Sequence, residues 1–585
     1  MRYPTLPVRA VSRQMIDVFK GYNHNMRIGD GELYDMENLT SDDYPVLASR
    51  GKRGVYVTAE APQGLIAKDS LCYVDGTDFV MNEYRVDMGL STAEEDCPKQ
   101  LVSMGAYVII LPDKKWINTL DTTQFGSMEA AFETSTDVAF SLCSITGEAY
   151  KDPAVSPSAP ANPENMALWI DTSGDPHVLK QYAESSGMWV SIPTTYVKIS
   201  ASGIGKAFEQ NDGVTLSGIA EEGLEGLNGS AVIWDKGDDY IVVVGILDRT
   251  TVQLADRGPV KVERTVPNMD FVVEAGNRLW GCRYGVARNG QVVNEIYGSK
   301  LGDFKNWNCF MGISTDSWVG SVGTDGPFTG AITHLGNPLF FKENVLHKVY
   351  ISEVGAHSIQ DTACRGVQKG CSRSLAIVNE VLYYKARSGI CAYDGSLPQE
   401  CSYCLGTEVY SGAVAGGHGN KYYVSLLDSA GQRQLFVYDT GKRMWHRETG
   451  FEAVCFCSCR GELYAIDGES GKIITMLGSG TQDKDRVKWM AQTGDLGLSS
   501  PDRKYVSRLN IRMMLEIGTD LLIQAQYVPD GNWETLCGLR GSGLKSFSVP
   551  VRPRRSDWLR LRFSGEGDGR IYSITRTVEQ GSDRY

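Results

Sequence analysis

Short segments in which apolar and polar residues alternate follow one another along most of this chain, as in β-strands with one buried face. Four of these segments share an apolar strand that ends in an Asp-Gly or Asp-Thr-Gly turn: Leu71–Gly76, Ile390–Gly395, Leu435–Gly441 and Leu463–Gly468. A strand-turn-strand unit that recurs without a helix between its copies is typical of a radial all-β array. The pattern therefore predicts an all-β protein built around a β-propeller.

The predicted propeller units fall into two stretches of the chain, residues 54–120 and residues 269–484. The first stretch contains two hairpins and the second contains five further units. Asp394 and Asp439 are 45 positions apart, which is a normal blade period, whereas Asp467 follows after only 28. We expect about six or seven blades, with units from both ends of the chain closing the ring.

Three other regions flank or interrupt this array. Residues 1–53 contain Pro4, Pro7 and Pro45 and predict an extended N-terminal arm, with a plain first strand and its loop as the alternative. Residues 121–268 combine a Pro- and Ser-rich linker with strand-like segments and predict an inserted β-barrel or β-sandwich domain. Residues 485–585 alternate clearly and predict a C-terminal β-sandwich.

The chain has 585 residues and a formal net charge of −13. A protein that binds nucleic acid through its phosphates needs a basic surface, and with this charge the chain has no overall basic surface. DNA could still slide past an acidic wall. The one dense basic run contains Arg552, Arg554 and Arg555. We interpret it as a candidate contact with an acidic partner or DNA, and the alternative is a solvated loop. We find neither an apolar signal core nor a stretch of membrane-spanning length, so we expect no membrane insertion.

Residue patterns for catalysis or metal binding are scarce. The seven histidines form no His-x-x-x-His pattern, and the chain has no Gly-x-Ser-x-Gly turn and no phosphate-binding loop. We interpret the fourteen cysteines, including the Cys401–Cys404 pair, as reduced small hydrophobic residues, with a zinc site or disulfides as the alternative. We therefore expect no catalytic residues, no metal, no cofactor and no enzyme activity. A propeller glycosidase remains an alternative.

Several segments resemble the nozzle proteins of short-tailed bacteriophages, also called tail tubular or packaged-DNA stabilisation proteins. Those segments are Asn38–Leu39, Tyr44–Leu47, Arg50–Arg53, Asn294–Asp303, Trp307–Asn308, Arg555–Arg562, Gly565–Asp568 and Ile571–Ile574. In addition, the stretch from Leu168 to Trp189 resembles a small module common in phage tail and fibre proteins.

The resemblance implies a structural component of the virion tail that is synthesised in the cytoplasm of the bacterial host. Such proteins form a ring, which implies a homohexamer that conducts DNA below the portal and adaptor and docks tail fibres. Because the inserted domain interrupts the array at one point, we hypothesise that its loops line or constrict the channel. The alternatives are a receptor- or glycan-binding propeller tail protein and the propeller glycosidase. The resemblance carries over no catalytic residues.

Overall fold

The computed structural model describes residues 11–92, 99–135, 137–151, 153–254, 259–286, 290–482, 485–496, 504–541, 543–556 and 558–580. Within these ranges the fold consists of small β-sheets, and helical structure is limited to three short 3-10 turns at Glu225–Leu227, Ser372–Ser374 and Tyr403–Leu405. The predicted all-β class is confirmed. No helix in these ranges is long and apolar enough to span a membrane.

Seven antiparallel sheets of the described residues form the blades of a propeller, numbered here in chain order. Blades 1 and 2 consist of Pro62–Ala67, Leu71–Asp75, Asp78–Met81 and Tyr84–Asp87, and of Gln100–Met104, Tyr107–Leu111, Lys115–Asn118 and Phe125–Ser127. Blades 3 and 4 consist of Phe271–Ala275, Arg278–Val286, Val292–Gly298 and Trp318–Ser321, and of Gly330–His334, Asn337–Phe341, Val345–Tyr350 and Ser358–Ala363.

The last three blades are formed by the following stretch of the chain and one strand from its beginning. Blades 5 and 6 consist of Ala376–Val378, Val381–Lys385, Ile390–Tyr393 and Gln399–Glu400, and of Ser411–His418, Lys421–Leu427, Arg433–Asp439 and Met444–Glu448. Blade 7 consists of Ala453–Cys459, Glu462–Asp467, Lys472–Thr475, Gly54–Thr58 and Thr481–Gln482.

The ring is closed by a strand from the N-terminal part of the chain. Gly54–Thr58 pairs antiparallel with Lys472–Thr475 in blade 7, and the chain then continues directly into blade 1. The first strand of blade 7, Ala453–Cys459, contacts the first strands of both blade 6 and blade 1. Closure by units from both ends of the chain, expected from the sequence, is therefore observed.

The repeated aspartates occupy two different places in their blades, which explains their uneven spacing. Asp75 and Asp467 end the second strands of blades 1 and 7, where each accepts a backbone N–H from the residue fifteen positions earlier, Glu60 and Glu452. Asp439, by contrast, ends the third strand of blade 6 and accepts the Ser41 hydroxyl. The carboxylates therefore fasten strand ends to neighbouring segments.

Apolar clusters fill the spaces between neighbouring blades. Between blades 1 and 2, for example, Val74 and Phe79 pack with Val108 and Ile110, and all four side chains are fully buried. Each such side chain contributes about 1.5–3 kcal/mol by leaving water. The packing explains why the second and third strands are almost continuously apolar.

The inserted domain contains three sheets around a separate core. The first two consist of Ala130–Glu133, Lys261–Arg264, Gly213–Ser217 and Gly229–Val232, and of Asp235–Gly237, Tyr240–Val244, Tyr196–Ser200, Val138–Cys143 and Thr251–Leu254. The third sheet consists of Ala154–Ser156, Leu168–Asp171, Val178–Ala183 and Met188–Ser191.

The predicted turn Asn211–Gly213 docks the inserted domain on blade 3. Asp212 is buried, forms an ion pair with Arg264 and accepts a 2.9 Å hydrogen bond from the Asn306 amide. Asn306 in turn accepts the Gly213 backbone N–H at 2.9 Å. This buried polar joint therefore fixes one end of the insertion on the propeller.

The C-terminal sandwich includes strands from both ends of the chain. One sheet consists of Leu39–Thr40, Leu47–Ser49, Gly569–Gln580, Lys504–Leu515 and Gly543–Val549, with Val11–Ile16 paired to Gly569–Gln580. The other consists of Leu33–Glu37, Lys488–Thr493, Arg560–Glu566, Asp520–Gln526 and Glu534–Arg540. The N-terminal arm, from residue 11 onward, therefore lies across its own fold.

The arm also joins the sandwich to blade 6. The Tyr22 backbone N–H donates to the Trp445 carbonyl at 2.7 Å, and both side chains belong to one core that continues into the sandwich. The preceding Gly21 has a φ of 79°, and a Cβ there would lie 2.5 Å from the Trp445 carbonyl oxygen. Only glycine therefore allows this close approach of the backbones.

Candidate functional site

The predicted contact residues Arg552, Arg554 and Arg555 lie in one exposed loop of the C-terminal sandwich. Arg554 Nη1 lies 2.6 Å from Glu534 Oε1, and its guanidinium lies 5.4 Å from the centre of the Tyr527 ring. Glu534 therefore neutralises part of the positive charge. The structure brings the three arginines together on the surface, and their contact with a partner stays a prediction.

A cavity of about 590 Å³ lies in the cleft between blades 5 and 6. Its volume is within the range of small-molecule sites. Its walls come from the second strand of blade 5, the third strand of blade 6 and the turns that follow the third strand of each blade. Chemically informative side chains in its lining are Tyr383, Tyr438, Asp394, Gln399, Glu400 and Arg443.

Two tyrosines form the aromatic part of this cavity. Tyr383 and Tyr438 are only 6% and 7% exposed, and their ring centres are 5.9 Å apart at an angle of 59°. Tyr438 is fixed from behind by Trp445, whose ring centre is 4.8 Å away. Neither tyrosine hydroxyl forms a hydrogen bond within the described residues, so both remain available to a ligand.

Both acidic and basic side chains lie around the two tyrosines, so that positive and negative charges balance. The hydroxyl and backbone N–H of Ser396 both donate to Asp394 Oδ1 and lower the pKa of Asp394, so this carboxylate is ionised at neutral pH. Glu400 forms an ion pair with Arg365 at 3.1 Å. Arg443 balances Asp394, so the cleft has no large net charge.

A second cavity, of about 840 Å³, lies along one face of the C-terminal sandwich. Its lining alternates charged side chains with apolar ones, as expected for the wet face of a sheet. The charged residues of the lining are Glu37, Lys488, Asp520, Arg540, Arg562 and Glu566. The arrangement gives a mixed, open surface without a defined polar centre.

One group of side chains in blade 4 has the geometry of a general base. His347 Nδ1 lies 2.6 Å from Asp361 Oδ1, and His347 Nε2 lies 3.0 Å from the Thr324 hydroxyl. Burial lowers the pKa of His347 despite the opposing effect of Asp361, so the imidazole is neutral at pH 7. A neutral histidine between a carboxylate and a hydroxyl can orient and accept a proton. Because His347 and Asp361 are also direct cross-strand partners, strand pairing alone accounts for the contact.

No cluster of three or more His, Cys, Asp or Glu side chains suited to a metal ion occurs in the described part of the chain. The cysteines there are free, including Cys401 and Cys404. Burial raises the pKa of Cys401 to about 12, so this thiol stays protonated at neutral pH. Cys401 and Cys404 are half-buried, and their interpretation as reduced small hydrophobic residues stays a prediction.

Sequence reasoning missed the cleft between blades 5 and 6. Tyr383 and Tyr438 belong to different strands of neighbouring blades, and neither stands in a recognisable motif. The repeat of the blades could have revealed the cleft, because aligning the sequences of blades 5 and 6 would have placed these two tyrosines beside it.

No protein-family model and no curated protein sequence matches this chain. Solved structures with some similarity include an exo-β-1,3-galactanase from Phanerochaete chrysosporium, at 9% identity and a TM-score of 0.20, over 52% of this chain and 94% of that one. A glycoside hydrolase family 43 arabinoxylan arabinofuranohydrolase from Bacillus subtilis has 9% identity and a TM-score of 0.18, over 54% and 95%. Trypanosoma rangeli sialidase has 8% identity and a TM-score of 0.19, over 91% and 97%.

These comparisons correct one expectation. The sequence analysis expected no enzyme activity, whereas the similar structures are glycoside hydrolases and a sialidase, so that expectation is contradicted. These enzymes belong to the class that the sequence analysis kept as its alternative. With TM-scores near 0.2, the matches assign neither a family nor a substrate to this chain.

Proposed function

We propose that this chain is a structural component of a bacteriophage tail. In this proposal it is a subunit of a homohexameric nozzle ring that forms the DNA conduit below the portal and adaptor and docks tail fibres. It is synthesised in the bacterial cytoplasm and resides in the virion. The observation that carries the proposal is where the structure places the segments that resemble nozzle proteins.

Residues of the N-terminal resemblance join the propeller to the sandwich. Asn38 donates a 2.8 Å hydrogen bond to the Thr449 hydroxyl at the end of blade 6, and Arg53 pairs with the buried Glu448. Arg50 adds a second guanidinium 3.7 Å from Glu448. Residues with this role hold the propeller and the sandwich together, which supports their use as one subunit of a ring.

A second resembling segment, Asn294–Asp303 with Trp307–Asn308, lies where the inserted domain docks. Lys300, within the first stretch, donates to the Asn211 carbonyl at 3.1 Å, and Asn306, between the two stretches, donates to Asp212. These contacts support a fixed orientation of the insertion relative to the propeller. In the proposed ring, loops of this insertion line or constrict the channel.

The net charge of −13 supports passage of DNA without retention. A conduit wall that repels phosphates lowers the affinity for DNA and leaves the duplex free to move. Arg552, Arg554 and Arg555 then serve as a local contact with an acidic partner surface, separate from the conduit.

Self-assembly is the direct test of the proposal. Mass measurement of the purified chain over a range of concentrations, combined with electron microscopy, is expected to show rings of about six copies, since closed cyclic symmetry is usual for homo-oligomers. A monomer at every concentration, including in the presence of the portal and adaptor of the same phage, would overturn the proposal. Particles that lack residues 121–268 are expected to lose packaged DNA.

A propeller that recognises or cleaves a glycan is the second candidate. The observation that favours it is the cleft between blades 5 and 6, in which two tyrosines and several uncommitted polar groups face one cavity. Turnover on a panel of bacterial polysaccharides tests cleavage, and measured binding without turnover would identify recognition alone.

A further inference from the structure

We infer that the cleft between blades 5 and 6 is a binding site for a neutral saccharide unit. The inference goes beyond the proposed assembly role and deepens the second candidate, because it names a location and a ligand class. It rests on four features of the cleft, namely its shape, its aromatic walls, the polar groups at its rim and its balanced charges.

The first feature is the volume of the open cleft between two sheets. The cavity of about 590 Å³ is bounded by strands and by the short turns that join them rather than by long loops, so its shape is present before a ligand arrives. A preformed site loses little conformational entropy on binding. The volume is within the range of small-molecule sites in proteins.

The second feature is the pair of tyrosines. Tyr383 and Tyr438 are more than nine-tenths buried, yet neither hydroxyl has a hydrogen-bond partner in the described part of the chain. Neither hydroxyl oxygen is among the fully buried polar atoms that lack a partner, so both hydroxyls open onto the cavity. Two uncommitted hydroxyls on one cavity therefore point to a ligand that supplies hydroxyl groups, with apolar C–H faces for the rings.

The third feature is the set of polar groups at the rim. Asp394 offers its Oδ2 as an acceptor, Arg443 offers donors, and Gln399 offers both. Within the described residues, the side chains of Arg443 and Gln399 form no hydrogen bond or ion pair. Sugar hydroxyls both donate and accept, so they satisfy such a mixed rim better than a purely anionic or cationic ligand.

Charge balance selects a neutral ligand. Asp394 and Glu400 are matched by Arg443 and Arg365, the latter already paired with Glu400 at 3.1 Å. A ligand of either charge would meet a group of its own sign at the rim, Asp394 for an anion and Arg443 for a cation, since these two form no ion pair in the described part of the chain. The geometry therefore points to an uncharged sugar, such as a hexose or an N-acetylhexosamine.

The test uses the full chain and a panel of glucose, galactose, rhamnose, N-acetylglucosamine and their short oligomers. Saturation-transfer NMR at millimolar saccharide identifies a binder, and calorimetry gives its affinity. The double variant Tyr383→Phe/Tyr438→Phe removes both hydroxyls and keeps the rings, so the affinity should fall at least about tenfold. Tyr84→Phe, which changes a 74% exposed tyrosine in blade 1, should leave the affinity unchanged.

A second variant, Leu397→Trp, adds bulk at the exposed rim of the cavity and should also abolish binding. Melting temperatures equal to that of the parent chain show that the variants are folded. No binding by any saccharide in the panel, or equal affinity in the tyrosine double variant, would overturn the inference. The oligomer mass of the same samples tests the ring separately, so either proposal can fail alone.

Discussion

Asn38 and Thr449, 411 positions apart in the chain, are joined by two hydrogen bonds. Asn38 Nδ2 donates to Thr449 Oγ1 at 2.8 Å, and the Thr449 backbone N–H donates to Asn38 Oδ1 at 3.0 Å. Asn38 Nδ2 also donates to the Lys488 carbonyl at 2.8 Å, at the start of the sandwich strand Lys488–Thr493. One amide therefore holds the arm, blade 6 and the sandwich together.

Asn38→Ala should lower the free energy of unfolding by about 2–4 kcal/mol, because it leaves buried partners unsatisfied and places alanine at a positive φ of 54°. Chemical denaturation measures the effect. The control is Asn162→Ala, at an exposed position with a φ of 53°, which should cost only about 1–2 kcal/mol. Equal losses in the two variants would contradict the role assigned to Asn38.

Arg53→Met should lower the free energy of unfolding by about 3–5 kcal/mol, because it leaves a buried carboxylate with the more distant Arg50 alone. Glu448 is the carboxylate in question, with a side chain only 10% exposed. The control is Arg540→Met, which removes a 93% exposed side chain paired with Asp520 and should change stability by about 0–1 kcal/mol. The double variant Arg53→Met/Glu448→Leu should recover much of the loss.

The same pair predicts sensitivity to acid. Burial alone would raise the pKa of Glu448, but Arg53 and Arg50 together outweigh burial and lower it. The pKa of Glu448 is therefore lower in the folded state than in the unfolded state. The stability that its ion pairs contribute is fully present above about pH 4.5 and is lost as the pH falls through the folded-state pKa. Unfolding measured from pH 6 to pH 3 should show this loss in the parent chain and not in Arg53→Met/Glu448→Leu.

His446 predicts a second pH dependence at higher pH. Burial lowers its pKa to about 4, and neither ring nitrogen has a hydrogen-bond partner within the described residues. Because the unfolded state binds the proton first, stability should fall by on the order of 2 kcal/mol between pH 7 and pH 5. His446→Phe should remove this part of the pH dependence, while that of His347 and His357 remains. An unchanged pH profile in the variant would contradict the prediction.

Gly54→Val should open the ring at its closing strand. A Cβ at Gly54 would lie 2.6 Å from Thr475 Oγ1 and 2.8 Å from the Gly480 carbonyl carbon. Hydrogen exchange should therefore accelerate in Lys472–Thr475 and Gly54–Thr58. Gly51→Val is the matched control, since a Cβ at Gly51 has no neighbour within 4 Å. Faster exchange in both variants would point to a general loss of stability instead.

The blades could be predicted from local patterns, because the alternation of apolar and polar residues and the turn residues each extend over only a few positions. The predicted hairpin around Asp75–Gly76 corresponds to the strands Leu71–Asp75 and Asp78–Met81. In the sandwich, Glu534–Arg540 lacked a clear pattern and was missed, since its side chains lie on an edge strand that is mostly half-exposed. Local sequence therefore specifies strands better where one face is buried.

Long-range relationships were beyond the reach of these patterns. Pairing of Gly54–Thr58 with Lys472–Thr475 joins segments more than 400 positions apart, and no short motif encodes such a partner. The same holds for the cleft, where Tyr383 and Tyr438 meet only because their blades are neighbours in the ring. Arg552, Arg554 and Arg555 were found because they adjoin in sequence.

Closure by residues 54–58 has a consequence for the order of events during synthesis. The partner strand ends at Thr475, so the circle stays open until residues beyond 475 have left the ribosome. Until then, the unpaired edge of the early strand must avoid neighbouring nascent chains, since exposed edges invite aggregation. The propeller of each chain can therefore close only late in its own translation.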